Sequence, residues 1–156
     1  LTLMAGVTTG AAISGQSRLN VNAKSPISGG IGDSQSGGFF PAELKFAGFD
    51  GVVVTGQSAK PQYLWLNEGQ AELRDAQPLW GKTTSEVDVL LKQELGDDKI
   101  EIAQCGPAGE KLSRLAAVIN MANRAAGRTG QGHRRYRPVR RHLRGRVHGP
   151  SPDAAR

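Results

Sequence analysis

Between Lys24 and Gly51 the chain reads KSPISGGIGDSQSGGFFPAELKFAGFDG, with seven glycines in 28 residues. So much side-chain-free backbone is costly to order and weakens helices and strands alike, so a fold that keeps it there must use the main chain itself. A backbone without Cβ atoms can approach a bound molecule closely, and successive N–H groups can form a concave seat for an anion. The pattern predicts two glycine-rich loops, SGGIGDSQSGGFF at 28–40 and NRAAGRTG at 123–130, with Arg18 upstream at the head of a strand. Arginine's planar fork donates paired hydrogen bonds to phosphate or carboxylate oxygens. Arg18, Arg124 and Arg128 beside bare backbone therefore suit a phosphorylated, heteroatom-rich organic cofactor. Any one such loop taken alone reads first as a surface turn with solvated arginines.

The 156 residues, 38% of them hydrophobic, allow about one domain. No run approaches the roughly 18 apolar residues of a membrane span, and LTLMAGVTTGAAISG lacks the basic leader and cleavage pattern of a signal peptide, so a cytoplasmic location is expected. The single Cys105 offers neither an internal disulfide nor a metal site by itself, and iron–sulfur or zinc chemistry would need residues from outside the chain. The net charge of +6 is local: residues 1–130 carry 12 basic and 13 acidic side chains, whereas residues 131–156 carry eight arginines, one aspartate and all three histidines.

That segment, QGHRRYRPVRRHLRGRVHGPSPDAAR, has no apolar period, and Pro138, Pro150 and Pro152 oppose regular structure, so it is expected to be a disordered tail. Three readings of it stand side by side: a nucleic-acid-binding arm, a solvated appendage, or GC-rich DNA translated out of frame. The abrupt change of character after Gly130 favours the third.

Within residues 1–130, strands are expected near Leu3–Val7, Arg18–Ala23 and Gly51–Thr55, and a hairpin pairs Gln62–Leu66 with Gln70–Arg74. Pro41 and Gly48 bracket a short helix. Ser85–Leu95 is a clearer one, with Val87, Leu90, Leu91 and Leu95 on one face, a Thr83/Glu86 capping box and Gly96 as its stop. Lys99–Ala103 alternates as a strand, GPAGE at 106–110 reads as a loop, and Leu112–Met121 suits helix or strand. Hairpins interspersed with single helices give an α+β class.

The common catalytic signatures are missing. There is no GxxxxGK[ST], no GxGxxG between strand and helix, no HExxH, and no histidine before His133. Asp33, Glu43, Asp50 and Glu110 have no spacing that pairs them as acid and base, and no catalytic residue is assigned.

The motifs KSPISGGIG (24–32), SGGFFPAELKFAGFDG (36–51), KPQYLWL (60–66), LWGK (79–82), GPAGE (106–110) and RAAGR (124–128) lie nearly collinear with those of a known family. Over residues 3–130 the chain resembles the N-terminal domain of the aldehyde:ferredoxin oxidoreductases, enzymes that hold tungsten, sometimes molybdenum, through two pterin dithiolenes. The resemblance implies a β-rich, saddle-like domain with short helices beneath a bis-pterin cofactor. It implies that Arg18 sits between the pterin phosphates and an iron–sulfur cluster, and that Gln35, Ser36 and Gly37, with Arg124, Ala125, Gly127 and Arg128, contact the cofactor. Relatives commonly carry Asn where Gln35 stands, which shifts the amide by one methylene. The implied chemistry is oxidation of an aldehyde to a carboxylic acid, with electrons leaving through a 4Fe–4S cluster to ferredoxin. The cluster cysteines belong to later domains, and Cys105 reads as a small buried residue. The family's first strands precede Leu1 and its continuation after RAAGR is replaced by the arginine-rich segment, so the chain resembles a fragment that is inactive alone. Two alternatives from other classes are a nucleic-acid-binding module acting through the tail and a structural domain of the same fold without cofactor.

Overall fold

Alternation along LNVNAK sends Leu19 and Val21 to one face of a strand and Asn20 and Asn22 to the other, and the N-terminal sheet is organised around that split. The computed structural model describes residues 1–121 and 124–127. Strands β1 (Thr2–Ala5), β2 (Leu19–Lys24), β3 (Ile31–Ser36) and, beyond helix α1 (Phe40–Phe46), β4 (Gly51–Val53) form one sheet in the order β3-β2-β1-β4. All its pairings are antiparallel, with Ala5 opposite Leu19 and Leu19 opposite Ser36.

The hairpin follows as expected: β5 (Gln62–Asn67) and β6 (Gln70–Asp75) pair around a turn in which Glu68 and Gly69 both take positive φ. The turn is fastened to α1, since the Gly69 amide donates to the Ala47 carbonyl at 2.8 Å. Helix α2 (Thr84–Leu95) carries the capping box: Glu86 N–H donates to the Thr83 hydroxyl at 3.3 Å and the Thr83 amide donates to the Glu86 carboxylate at 2.7 Å. Gly96 closes the helix in the left-handed region.

The C-terminal part departs from the sequence reading. Lys99–Ala103 is not a strand; only β7 (Ala103–Gln104) is. The alternation there is genuine, because Ile100 and Ile102 both pack against Leu79, Val87 and Leu91, but among the described residues no strand ladders with residues 99–102. GPAGE, expected as a loop, is the short helix α3 (Gly106–Glu110). Pro107 lies in its first turn, where a missing N–H costs nothing. Its Glu110 carboxylate accepts the Gly81 amide at 2.9 Å, which joins the LWGK and GPAGE motifs. The ambiguous stretch resolves into turns and β8 (Val118–Asn120), which pairs with β7 and with β9 (Arg124–Ala126) in a three-stranded sheet.

Leu19 and Val21 from the first sheet meet Val118 and Ala126 from the second, burying all four. Each fully buried Leu or Val contributes about 1.5–3 kcal/mol. This contact sets the head of β2, the end of β3 and the whole of β9 beside one another. Leu44, Phe49 and Val52 form a second small core under α1, and Leu79, Val87 and Leu91 a third under α2. The architecture is mixed and strand-rich with short helices, in agreement with the α+β reading.

Candidate functional site

The ends of β2, β3 and β9 meet at Gly37. A side chain begun there would place its Cβ 3.5 Å from Nη1 of Arg124 and 3.6 Å from Nη1 of Arg18. Glycine thus leaves the main chain bare between two guanidinium groups from strands more than one hundred residues apart in sequence. Both arginines are exposed, and among the described residues the ion pairs are Lys45–Asp50, Arg74–Glu72 and Lys92–Asp88, none of which involves Arg18 or Arg124. Two like charges converging without a carboxylate repel each other, and an anion between them would turn that repulsion into two charge-assisted contacts.

Local structure fixes each arm. Arg18 follows the loop 6–17, which is closed on itself: the buried Thr9 hydroxyl donates to the Gln16 carbonyl at 3.1 Å and the Gln16 side chain accepts the Gly10 amide at 3.2 Å. Ser17, immediately before Arg18, donates through its hydroxyl to the Gly38 carbonyl at 2.6 Å. Arg124 stands opposite Asn120 in the antiparallel β8–β9 ladder, and Met121, the residue after Asn120, takes φ 42°.

The other predicted residues fall into three groups. Gln35 and Ser36 were expected in a loop but are the last two residues of β3, because six backbone pairings with β2 hold this glycine- and serine-containing segment extended. Gln35 is exposed across from Asn20, on the sheet face away from the core. Ser36 is buried on the opposite face, and its hydroxyl accepts a hydrogen bond from the Asn120 amide nitrogen at 2.8 Å, so its side chain braces the site. Arg124 and Ala125 likewise belong to a strand, with Gly127 just beyond it in open space. Arg128 lies outside the described residues, as does the tail from 131 onward.

Two contributors escaped the sequence reading. Asn120 is buried to 1% exposure, and Gly38 sits at φ 113° with its α-carbon against the Asn120 side chain. A signal existed for Asn120: in AAVIN it shares strand parity with Val118, so a buried face had to accommodate an amide. Three of the four acidic residues scanned as catalytic candidates have structural employment: Asp33 accepts from Asn22 at 2.9 Å, Asp50 pairs with Lys45 at 3.1 Å, and Glu110 caps Gly81. Cys105 is half-buried, and burial, followed by the charge of Glu110, pushes its thiol up from the ordinary range, which keeps it protonated. It lines a cleft of about 400 Å³ with Thr84, Pro107, Leu115 and Ile119, on the side of β8 opposite Val118 and Asn120.

The profile of the family described as "Aldehyde ferredoxin oxidoreductase, N-terminal domain" matches residues 1–134. This chain belongs to that family. The chain is 48% identical over 132 residues to a tungsten-containing aldehyde ferredoxin oxidoreductase of Thermococcus kodakarensis, covering 85% of this chain and 22% of that protein. A protein of the same name from Pyrococcus furiosus is 46% identical with the same coverage. The aliphatic sulfonate oxidoreductase WOR-like subunit of Pyrococcus furiosus is 30% identical, over 74% of this chain and 20% of its own length. Among solved structures, the active-site complex BamBC of benzoyl coenzyme A reductase, in complex with 1,5-dienoyl-CoA, superposes with a TM-score of 0.80 at 34% identity, over 85% of this chain and 20% of that one. The domain therefore spans about a fifth of the length of the relatives it matches.

Proposed function

We propose that residues 1–130 are the cofactor-seating domain of a tungsten- or molybdenum-containing bis-pterin oxidoreductase, which oxidises aldehydes to carboxylic acids and passes electrons through a 4Fe–4S cluster to ferredoxin. The observation that carries the reading is the convergence on bare backbone at Gly37 of the Arg18 and Arg124 guanidinium groups, neither of which has an ion-pair partner among the described residues. The residues present fit an anionic, phosphate-bearing group: the gap at Gly37 is one that a Cβ would enter, and its rim is doubly cationic.

When bound, the metallopterin supplies the two-electron redox chemistry, and the protein supplies position and electrostatics. Arg18 and Arg124 bind and neutralise the anionic groups. Gly37 and Gly127 admit close approach of the main chain, while Gln35 and Ala125 present an amide and a small surface beside it. Arg128 belongs to the same set by its place in RAAGR. Ser36 acts from behind, through Asn120. Groups that touch the aldehyde, and ligands to the cluster, are assigned to the remaining domains of the full-length enzyme. Residues 131–156 are assigned no part in it. A cytoplasmic location fits ferredoxin as the acceptor, and among the described residues no helix is long and apolar enough to cross a membrane.

The test uses the full-length enzyme, produced with tungstate and molybdate, with elemental analysis and aldehyde-dependent dye reduction as readouts. Arg18→Ala and Arg124→Ala should each weaken cofactor retention at least tenfold, since a hydrogen bond to a charged group is worth about 1.5–3 kcal/mol. Unchanged metal content in both variants after extended dialysis would refute the seat.

A further inference from the structure

Asn120 keeps a polar atom where apolar packing would be cheaper. Its amide nitrogen donates to Ser36 Oγ at 2.8 Å, but its Oδ1 is buried with no hydrogen-bond partner among the described residues. That oxygen faces the main chain of Gly38: a Cβ on Gly38 would come within 2.5 Å of it, 3.1 Å of Arg124 Cδ and 3.4 Å of Met121 Cβ. Turning the amide over would exchange the two ends and still leave one polar atom against Gly38. An orphaned buried acceptor costs about 1–3 kcal/mol, so its presence needs a reason.

Gly38 is held from two sides. The Ser17 hydroxyl grips its carbonyl at 2.6 Å, one residue before Arg18, and Asn120 abuts its α-carbon, directly across the ladder from Arg124. A continuous path of buried or half-buried contacts thus runs from Ser17 through Gly38 and Asn120 to the base of Arg124. The Ser36–Asn120 bond fastens that path to the end of β3, which precedes Gly37.

We infer that Asn120 is a positioning residue that fixes the spacing of the Arg18 and Arg124 guanidinium groups, and so tunes the seat for an anionic group of set width. The inference rests on the cofactor-seat reading above, and it goes further by assigning a role to a buried residue outside the set of cofactor contacts. Apolar residues of similar volume would satisfy stability better, because replacing both members of a buried hydrogen-bonded pair by isosteric apolar groups is nearly neutral or stabilising. The amide makes a directional tie that such packing would not.

The experiment therefore uses the double variant Ser36→Ala/Asn120→Leu of the full-length holoenzyme, with Ser36→Ala alone as a second variant that leaves the Asn120 amide nitrogen unpaired and should melt lower. Melting temperature and the half-time of tungsten loss under a chelator are measured on the same samples. The double variant should melt at or above the parent temperature and lose tungsten about tenfold faster, the scale at which supporting residues act on a bound metal. Tungsten loss at the parent rate in a folded double variant overturns the inference. So does a loss that tracks a lowered melting temperature, which marks Asn120 as structural only. If the double variant does not fold, Ser36→Ala decides, with tungsten loss measured at the same interval below its own melting temperature as for the parent: faster loss there supports the inference, and the parent rate overturns it. Arg18→Ala and Arg124→Ala run in parallel separate the two readings. If they speed tungsten loss and the Ser36/Asn120 variants do not, only the positioning role falls; if neither arginine matters, the seat itself falls.

Discussion

Gly38 illustrates how one residue type is dictated by backbone and by a neighbour at once. At φ 113° it occupies a region closed to ordinary side chains, and the Asn120 side chain fills the space a Cβ would need. Gly38→Ala should therefore destabilise the fold by about 3 kcal/mol, combining backbone strain with a forced shift of Asn120. A denaturant titration showing less than about 1 kcal/mol would mean that the corner relaxes freely. The sequence singled out Arg18 and Arg124 beside glycine-rich segments, and the fold brings both to Gly37; that they hold a cofactor is the proposal made above. Asn120 was only half legible: its parity with Val118 puts an amide on a buried face, but its partner Ser36 lies 84 residues away and is known only once the strands are placed. Ser36 was placed in the right neighbourhood, but whether its hydroxyl points at ligand or core depends on a one-residue register that the sequence leaves open.

At the scale of elements, signals that are local in origin proved readable. Helix α2 is an example: Thr83, Glu86, the apolar face and Gly96 all act within a few residues of one another. Glu86 titrates below its ordinary value of 4.5, chiefly because the Thr83 hydroxyl and then the Thr83 backbone N–H bond its charged form. A carboxylate with a depressed folded pKa contributes stability that is present above its unfolded pKa and lost as pH falls through the folded one. Below about pH 4.5 the start of α2 should loosen, and Glu86→Gln should flatten that part of the stability profile, as followed by helical circular dichroism between pH 6 and 3. An unchanged profile in the variant would show that the cap has no part in the acid response. Elements that depend on distant partners were less readable. β3 has no apolar alternation, and Ile31 is largely exposed; the segment is extended because β2 supplies its ladder. Residues 99–102 fail in the converse way, with the right alternation and no strand to pair with.

For the whole molecule the decisive feature is how little apolar surface is hidden. Among the described residues, eleven apolar side chains are buried, all but Ala116 split among three small cores, while fourteen large ones are exposed. The exposed set is not scattered evenly. Val7, Ile13 and Phe46 stand around the loop that carries Arg18, and the Lys45 ammonium donates to the Val7 carbonyl at 2.9 Å to hold that loop against α1. A domain spanning about a fifth of its relatives' length has a physical reason to show such surface, because apolar groups left in water at one boundary are stabilising when another domain covers them. The 156-residue chain by itself should accordingly bind the dye 8-anilinonaphthalene-1-sulfonate, and Val7→Ser/Phe46→Ser should reduce the signal without loss of strand circular dichroism. The full-length protein should bind less dye per domain. Equal dye binding by both would mean that this face stays open to water in the longer protein, and the loop carrying Arg18 would then be steadied only by its own hydrogen bonds.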